Sequence, residues 1–174
     1  MSFEEAAKQQ LIQINDLQKQ PVRISHEVEE LNENRDGVLP RKDTPGPKIR
    51  RILWVDDYPS NNASIVSHLT NLGIVVDTAL TTQEGLKRFH SDHYNLIISD
   101  MGRNEDGTEN PVAGIDLTKA IRQYDTDLPV IIFCSRRARQ RYAEEVLTSG
   151  VSAVTNSAVR LLSEISRIGS FTSD

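Results

Sequence analysis

Arg51-Ile52-Leu53-Trp54-Val55-Asp56-Asp57 is a short apolar run that stops abruptly at two carboxylates, and Tyr58-Pro59-Ser60 follows it. A brief run rich in branched and aromatic residues, closed by a proline-containing turn, reads as a strand buried on both faces. Strands of that kind belong to parallel sheets covered by helices. In open sheets of this type ligands sit outside the carboxyl ends of the strands. The place of Asp56 and Asp57 at the last step of a strand therefore matters more than their charge. A second apolar run, Leu96-Ile97-Ile98-Ser99, also ends in a carboxylate, Asp100. If the two strands are parallel neighbours, three acids converge on one edge. A hard divalent cation takes oxygen ligands and offsets the mutual repulsion of such a group.

Working outward, 174 residues hold one ordinary domain and an extension. The net charge of -5 points neither to bulk nucleic-acid binding nor to an acidic tail. The single cysteine, Cys134, excludes an intrachain disulfide and a cysteine-based zinc site. No apolar run approaches the roughly 20 residues of a membrane span. The N-terminus, acidic from Glu4, is unlike a signal peptide. The expected location is the cytoplasm, with no membrane partner.

Upstream of the run, Phe3, Ala7, Leu11, Ile14 and Leu17 form one apolar stripe at helical spacing, ended by Pro21. A second short helix is expected from Ser25 to Asn34. Residues 1–34 are thus read as a helical arm that packs on the domain or on a second copy, which would make a homodimer. Residues 35–48, with Asp36-Gly37, Pro40 and Pro45-Gly46-Pro47, read as a linker. The domain proper spans 49–168, and 169–174 is a polar tail.

Downstream, Ser60 to Leu72 is expected to be helical, stopped by Gly73, and Ile74 to Ala79 a strand. Thr81-Thr82-Gln83-Glu84 is a capping box that opens the next helix. Asp100 to Pro111 reads as a polar loop. Ala113 to Tyr124 reads as a helix with Leu117, Ala120, Ile121 and Tyr124 inward. Pro129 to Phe133 is the fourth strand, Arg136 to Thr148 a helix, and Ala153 to Thr155 a fifth strand. Val159, Leu162, Ile165 and Ile168 mark the last helix. Five strands alternating with five helices imply an α/β domain with a parallel sheet and right-handed crossovers.

From about Ile49 to Ile168 the chain resembles the receiver domain of bacterial two-component response regulators. The residues that carry the resemblance are Asp56-Asp57 after the first strand and Asp100 after the third. Gly114-Ile115-Asp116-Leu117 then opens a helix, Pro129-Val130-Ile131-Ile132 forms the fourth strand, and Gly150 precedes the last strand. The resemblance implies a flavodoxin-like (βα)5 doubly wound sheet in the order 2-1-3-4-5. It implies that Asp100 accepts a phosphoryl group from a histidine kinase or phosphotransfer protein, with Mg²⁺ as cofactor. Asp57 and Asp100 would be direct metal ligands, Asp56 would act through water, and the carbonyl of Gly102 would complete the set. Catalysis would be at most phosphorylation and dephosphorylation of that aspartate.

The resemblance breaks at the switch positions. The hydroxyl expected after the fourth strand falls on Cys134, and a thiol is a weak donor. The lysine expected after the fifth strand falls on Ser157, and no lysine follows Lys119. The aromatic position of the fifth strand falls on Val154. Arg103, Arg136 and Arg137 are candidates to replace the missing cation. Two readings stay open: a receiver phosphorylated on Asp100, and an atypical receiver that keeps the fold and serves as a protein-binding scaffold. Four arginines crowd Arg136 to Arg141, an unfavourable place for cations beside a helix N-terminus. In receivers this helix forms part of the output surface, so the resemblance implies output through a protein partner on the 136–148 helix or on the N-terminal arm, and no direct DNA binding is expected.

Overall fold

The structure, a computed structural model, describes residues 47–170. The expected helical arm and most of the linker and tail lie outside the described residues. The first strand, β1 (Arg51–Val55), is followed by a 3₁₀ turn at Pro59–Asn62 and by α1 (Ala63–Asn71). Next come β2 (Val75–Ala79), α2 (Thr82–Ser91) and β3 (Leu96–Ser99). A short pair, β4 (Arg103–Glu105) and β5 (Thr108–Asn110), precedes α3 (Ala113–Arg122) and β6 (Val130–Phe133). The chain closes with α4 (Arg136–Arg141), α5 (Ala143–Ser149), β7 (Ala153–Thr155) and α6 (Ala158–Ile168).

The main sheet has the order β2-β1-β3-β6-β7. All its pairings are parallel, with Ile52 opposite Leu96 and Ile97 opposite Val130. With the β4–β5 pair set aside, this is the 2-1-3-4-5 order of the flavodoxin-like fold. β3 and β6 are buried along their whole length, β1 at every residue but the first, and the edge strand β2 only at Ala79. Continuous apolar runs thus take the centre, where both faces need cover.

Alternate residues of one strand feed different layers. Ile52, Trp54, Ile98, Ile131 and Phe133 pack with Ile65 and Leu69 of α1 and Leu161 and Ile165 of α6. Leu53, Val55, Ile97 and Val130 face Leu117 and Ile121 of α3. Full burial of each such side chain stabilises the fold by about 1.5–3 kcal/mol. The helix entries follow their sequence signals. Thr81 Oγ1 accepts from the Glu84 N–H at 3.1 Å, and Glu84 Oε2 accepts from the Leu80 N–H at 2.8 Å. Ser135 and Ser157 cap α4 and α6 by accepting from the N–H groups of Ala138 and Arg160. Lys48 bridges Ser170 in parallel, so Pro47 to Ile49 and the end of the chain's described part lie side by side.

Three expectations fail in detail. The loop after Asp100 is a hairpin: Asp106 and Gly107 both take positive φ (52° and 94°) and close the Glu105–Thr108 pair. An Asp-Gly dipeptide favours this turn because both central residues must be left-handed. Gly107→Ala should therefore lower stability by about 1 kcal/mol, read as a drop in the midpoint of denaturant unfolding. Second, α3 stops at Arg122, and Tyr124, expected inward, is 72% exposed. Third, the 136–148 helix is two helices, because Tyr142 leaves helical geometry (φ -110°, ψ 25°). Tyr142 and Val146 pack partly against Met101, Ile115, Ile132 and Cys134, whereas Leu147 is 84% exposed.

Candidate functional site: an acid cluster at the carboxyl edge of the sheet

Because β1 and β3 are parallel neighbours in register from Ile52–Leu96 to Val55–Ser99, the residues that follow them emerge together. Asp56, Asp57 and Asp100 place one carboxylate oxygen each within 4.8 Å of one another. The backbone fixes the bases of these side chains: Asp56 N–H donates to Ala79 O and Asp100 N–H to Val55 O. Each acid then has its own environment. Asp56 is held through both oxygens, Oδ1 accepting from the Tyr58 N–H at 2.7 Å and Oδ2 from Asn62 Nδ2 at 2.8 Å. Burial raises its pKa, and those two donors only partly offset the rise. Asp57 Oδ2 accepts from the Asn104 N–H of β4 at 2.8 Å.

Asp100 is the most perturbed of the three. Its Oδ1 accepts from Arg103 Nη1 at 2.7 Å. Its Oδ2 is buried and has no hydrogen-bond partner. Burial first, and then the charges of Asp56 and Asp57, push its pKa up to about 8, although Arg103 pulls the other way. One arginine does not outweigh desolvation and two like charges, and it is shared with other acceptors. Arg103 Nε also donates to Glu105 Oε1 at 2.9 Å. Nη1 reaches Val55 O and Ser99 Oγ, and Nη2 reaches Thr82 Oγ1. Glu105 in turn accepts from the Thr82 hydroxyl and N–H. Burial tends to raise the Glu105 pKa, but the Thr82 and Arg103 donors hold it below the usual carboxylate value.

An orphaned buried carboxylate oxygen beside two further carboxylates is an arrangement that a hard cation satisfies. Gly102, the fourth expected ligand, lines the cleft that contains Asp57. This cleft, about 400 Å³, runs between the hairpin and α4, with Asn104 and Glu109 on one side and Arg137 and Arg141 on the other. Arg136, Arg137, Arg139 and Arg141 are all exposed.

Neither of the two weak site candidates lines this cleft. Cys134 is buried among Met101, Ile115 and Ile132. Burial pushes its thiol up to about 11, and the charge of Asp100 adds to the rise. Ser157 caps α6. Arg103, by contrast, does reach the acid cluster, as Arg136 and Arg137 do not through any hydrogen bond of the described residues. Thr82, Ser99 and Glu105 also belong to the site; sequence reading missed Thr82 and Ser99, and it saw Glu105 only as part of an acidic loop. The signals present were Arg103 and Glu105 two residues apart, hence on one face of a strand, and the Asp-Gly turn between them and β5.

A parallel α/β sheet whose carboxyl edge gathers three carboxylates belongs to the class of α/β domains with an acidic, cation-binding edge. The family model of the response regulator receiver domain matches residues 52–156, and the chain belongs to that family. The sensor protein EvgS of Escherichia coli K12 is 32% identical over 111 residues, covering 63% of this chain and 8% of EvgS. The chain thus spans less than a tenth of that relative. Among solved structures, the chemotaxis response regulator CheY4 of Vibrio cholerae has a TM-score of 0.57 at 21% identity, covering 70% of this chain and 99% of that one. The response regulator TrrA of Thermotoga maritima, solved with Mg²⁺-BeF, has a TM-score of 0.56 at 24% identity, covering 69% and 99%. TrrA has also been solved in complex with the histidine kinase ThkA. Among the described residues no helix is long and apolar enough to cross a membrane.

Proposed function

We propose that this chain is a working receiver that accepts a phosphoryl group on Asp100 in a Mg²⁺-dependent reaction. The observation that carries the reading is Asp100 Oδ2: buried, without a partner, and within reach of two further carboxylates. Asp57 and Asp100 would hold the ion directly, with the Gly102 carbonyl. Asp56, whose two oxygens already accept, is suited to act through water. Bound Mg²⁺ supplies positive charge that lets an anionic nucleophile approach an anionic phosphoryl group. Asp100 Oδ2 forms the new bond to phosphorus, and the bond to the donor's leaving group breaks with its electron pair. The phosphodonor in the cell is a histidine kinase or phosphotransfer protein, as the ThkA complex of TrrA suggests by analogy. The exposed arginines of α4 suit an acidic protein partner, and the setting is the cytoplasm.

The competing reading, an atypical receiver that serves as a scaffold, draws support from Cys134 and Ser157. One offers only a weak thiol donor in apolar surroundings and the other carries no charge and is engaged in capping a helix, so neither supplies the hydroxyl or the cation of the family's switch. Intact mass after incubation with acetyl phosphate separates the two. The expected result is a single phosphoryl adduct that requires Mg²⁺ and is absent in Asp100→Asn. No adduct at any Mg²⁺ concentration would favour the scaffold.

A further inference from the structure

Arg103 is the one charged side chain in the buried class among the described residues, and its side chain has 0% exposure. A lone guanidinium in the interior is costly unless every donor is used. Here Nε, Nη1 and Nη2 all donate, and their partners are distributed with a pattern. Val55 immediately precedes Asp56, and Ser99 immediately precedes Asp100, so Nη1 ties together the two strand ends that carry the acids. The same nitrogen takes Asp100 by Oδ1 alone. Nε and Nη2 face Glu105 and Thr82, which anchor the arginine from the far side. The guanidinium is planar, so these anchors also set the direction from which Nη1 meets Asp100.

We infer that Arg103 is the positioning residue of the site: it grips Oδ1 of Asp100 and thereby reserves Oδ2 for the cation and for phosphorus. The inference rests on the reading of Asp100 as phosphoacceptor. It assigns the hairpin a purpose, since β4 is what carries Arg103 back beneath the aspartate three residues before it. In the transfer, Oδ2 becomes the bridging oxygen of an acyl phosphate, the donor's carboxylate or imidazole leaves with the electron pair of the broken P–O or P–N bond, and Oδ1 becomes a carbonyl oxygen that still faces Nη1. Arg103 touches neither phosphorus nor the leaving group. An outer partner that orients a ligand carboxylate acts on metal affinity as well as on rate, and its removal typically weakens binding 10–100-fold.

The test compares the full chain with Arg103→Gln, Arg103→Lys and Gly107→Ala, the last loosening the hairpin at its tip without removing the arginine. Two quantities are read: Mg²⁺ affinity by calorimetry, and the rate of adduct formation from acetyl phosphate by intact mass. Arg103→Gln should bind Mg²⁺ about tenfold more weakly and react about tenfold more slowly. Arg103→Lys, which keeps the charge and loses the fork, should recover part of both, and it carries the test if the Gln variant does not fold. Gly107→Ala should stay within about twofold of the parent in both. Equal or tighter Mg²⁺ binding by Arg103→Gln would mean that the arginine merely repels the cation, and would overturn the assignment. Parallel losses in Gly107→Ala and Arg103→Gln would make the arginine a hairpin anchor, and would overturn it as well. A parent chain that neither binds Mg²⁺ nor takes a phosphoryl group sinks the phosphoacceptor reading itself, and the inference with it. A parent that does both while Arg103→Gln behaves like it sinks the inference alone.

Discussion

Asp100→Asn is expected to raise the thermal stability of the metal-free chain, and to do so in alkali far more than in acid. In the folded state the Asp100 carboxyl has its pKa pushed up to about 8, against an ordinary value of 3.8. The folded chain therefore holds a proton there that the unfolded chain has released, across the window from about pH 4 to about pH 8. Where the folded state binds more protons, stability falls as pH rises. The ionised carboxylate costs nothing below about pH 4 and its full penalty applies above about pH 8. An amide has the same shape and no charge, so the variant escapes the penalty. Some of the gain is lost because Arg103 then faces a neutral oxygen, and Glu105 becomes its one ion-pair partner. A net gain of about 2 kcal/mol at pH 8.5 is expected, roughly 8 °C in melting temperature, shrinking toward zero at pH 4.5. Saturating Mg²⁺ should erase the difference by stabilising the parent and not the variant. A variant that melts below the parent at pH 8.5 without metal would show that the Arg103 ion pair outweighs the repulsion among the acids.

The same residue shows how far the sequence was legible. Asp100, like Asp56 and Asp57, could be placed at a strand end because both strands announce themselves: Leu53 to Val55 and Leu96 to Ser99 are continuous buried runs with acids at their ends, while their being neighbours came only with the resemblance to receivers. Short connections between alternating strands and helices then leave few topologies. The capping box at Thr81–Glu84 and the positive φ of Gly73 and Gly150 were equally readable, since each is a local backbone requirement. What escaped was structure without a hydrophobic period. The strands of the hairpin, Arg103-Asn104-Glu105 and Thr108-Glu109-Asn110, contain no apolar residue, so their alternation could not be seen. Their stabilisation is polar, through Arg103, Glu105 and the Asn104 N–H on Asp57. The overextended helix to Tyr124 is the converse error. An aromatic residue three positions after Ile121 fits the apolar stripe, but α3 has already ended, and the ring lies against His90 and Phe89 on the surface. Nor does any proline or glycine mark the break at Tyr142.

Gly114→Ala should be severely damaging, for a reason of space and not of backbone freedom. Gly114 does not take a positive φ. A Cβ built there would lie 2.1 Å from the carbonyl oxygen of Asp100 and 3.2 Å from Ser99 Oγ. The first neighbour is backbone, fixed on both sides: Asp100 N–H donates to Val55 O, and the Gly114 N–H donates to Met101 O at 2.9 Å. No side chain can swing away to make room, so either the first turn of α3 lifts or the end of β3 gives. If the helix lifts, the fully buried Leu117 and Ile121 separate from Leu53, Val55 and Ile97. If the strand end gives, Asp100 leaves the acid cluster and Ser99 Oγ loses its place under Arg103. Overpacking of this severity costs about 3 kcal/mol, the upper part of the usual range. Gly73 and Gly107 have open space where a Cβ would go, so any cost at those sites is conformational only. The expected result is a large fall in the denaturant midpoint of Gly114→Ala with the slope unchanged, together with loss of Mg²⁺ binding out of proportion to the remaining folded fraction. Folded variant that binds Mg²⁺ as the parent does would show that α3 alone yields, and that the strand end holds Asp100 in place without it.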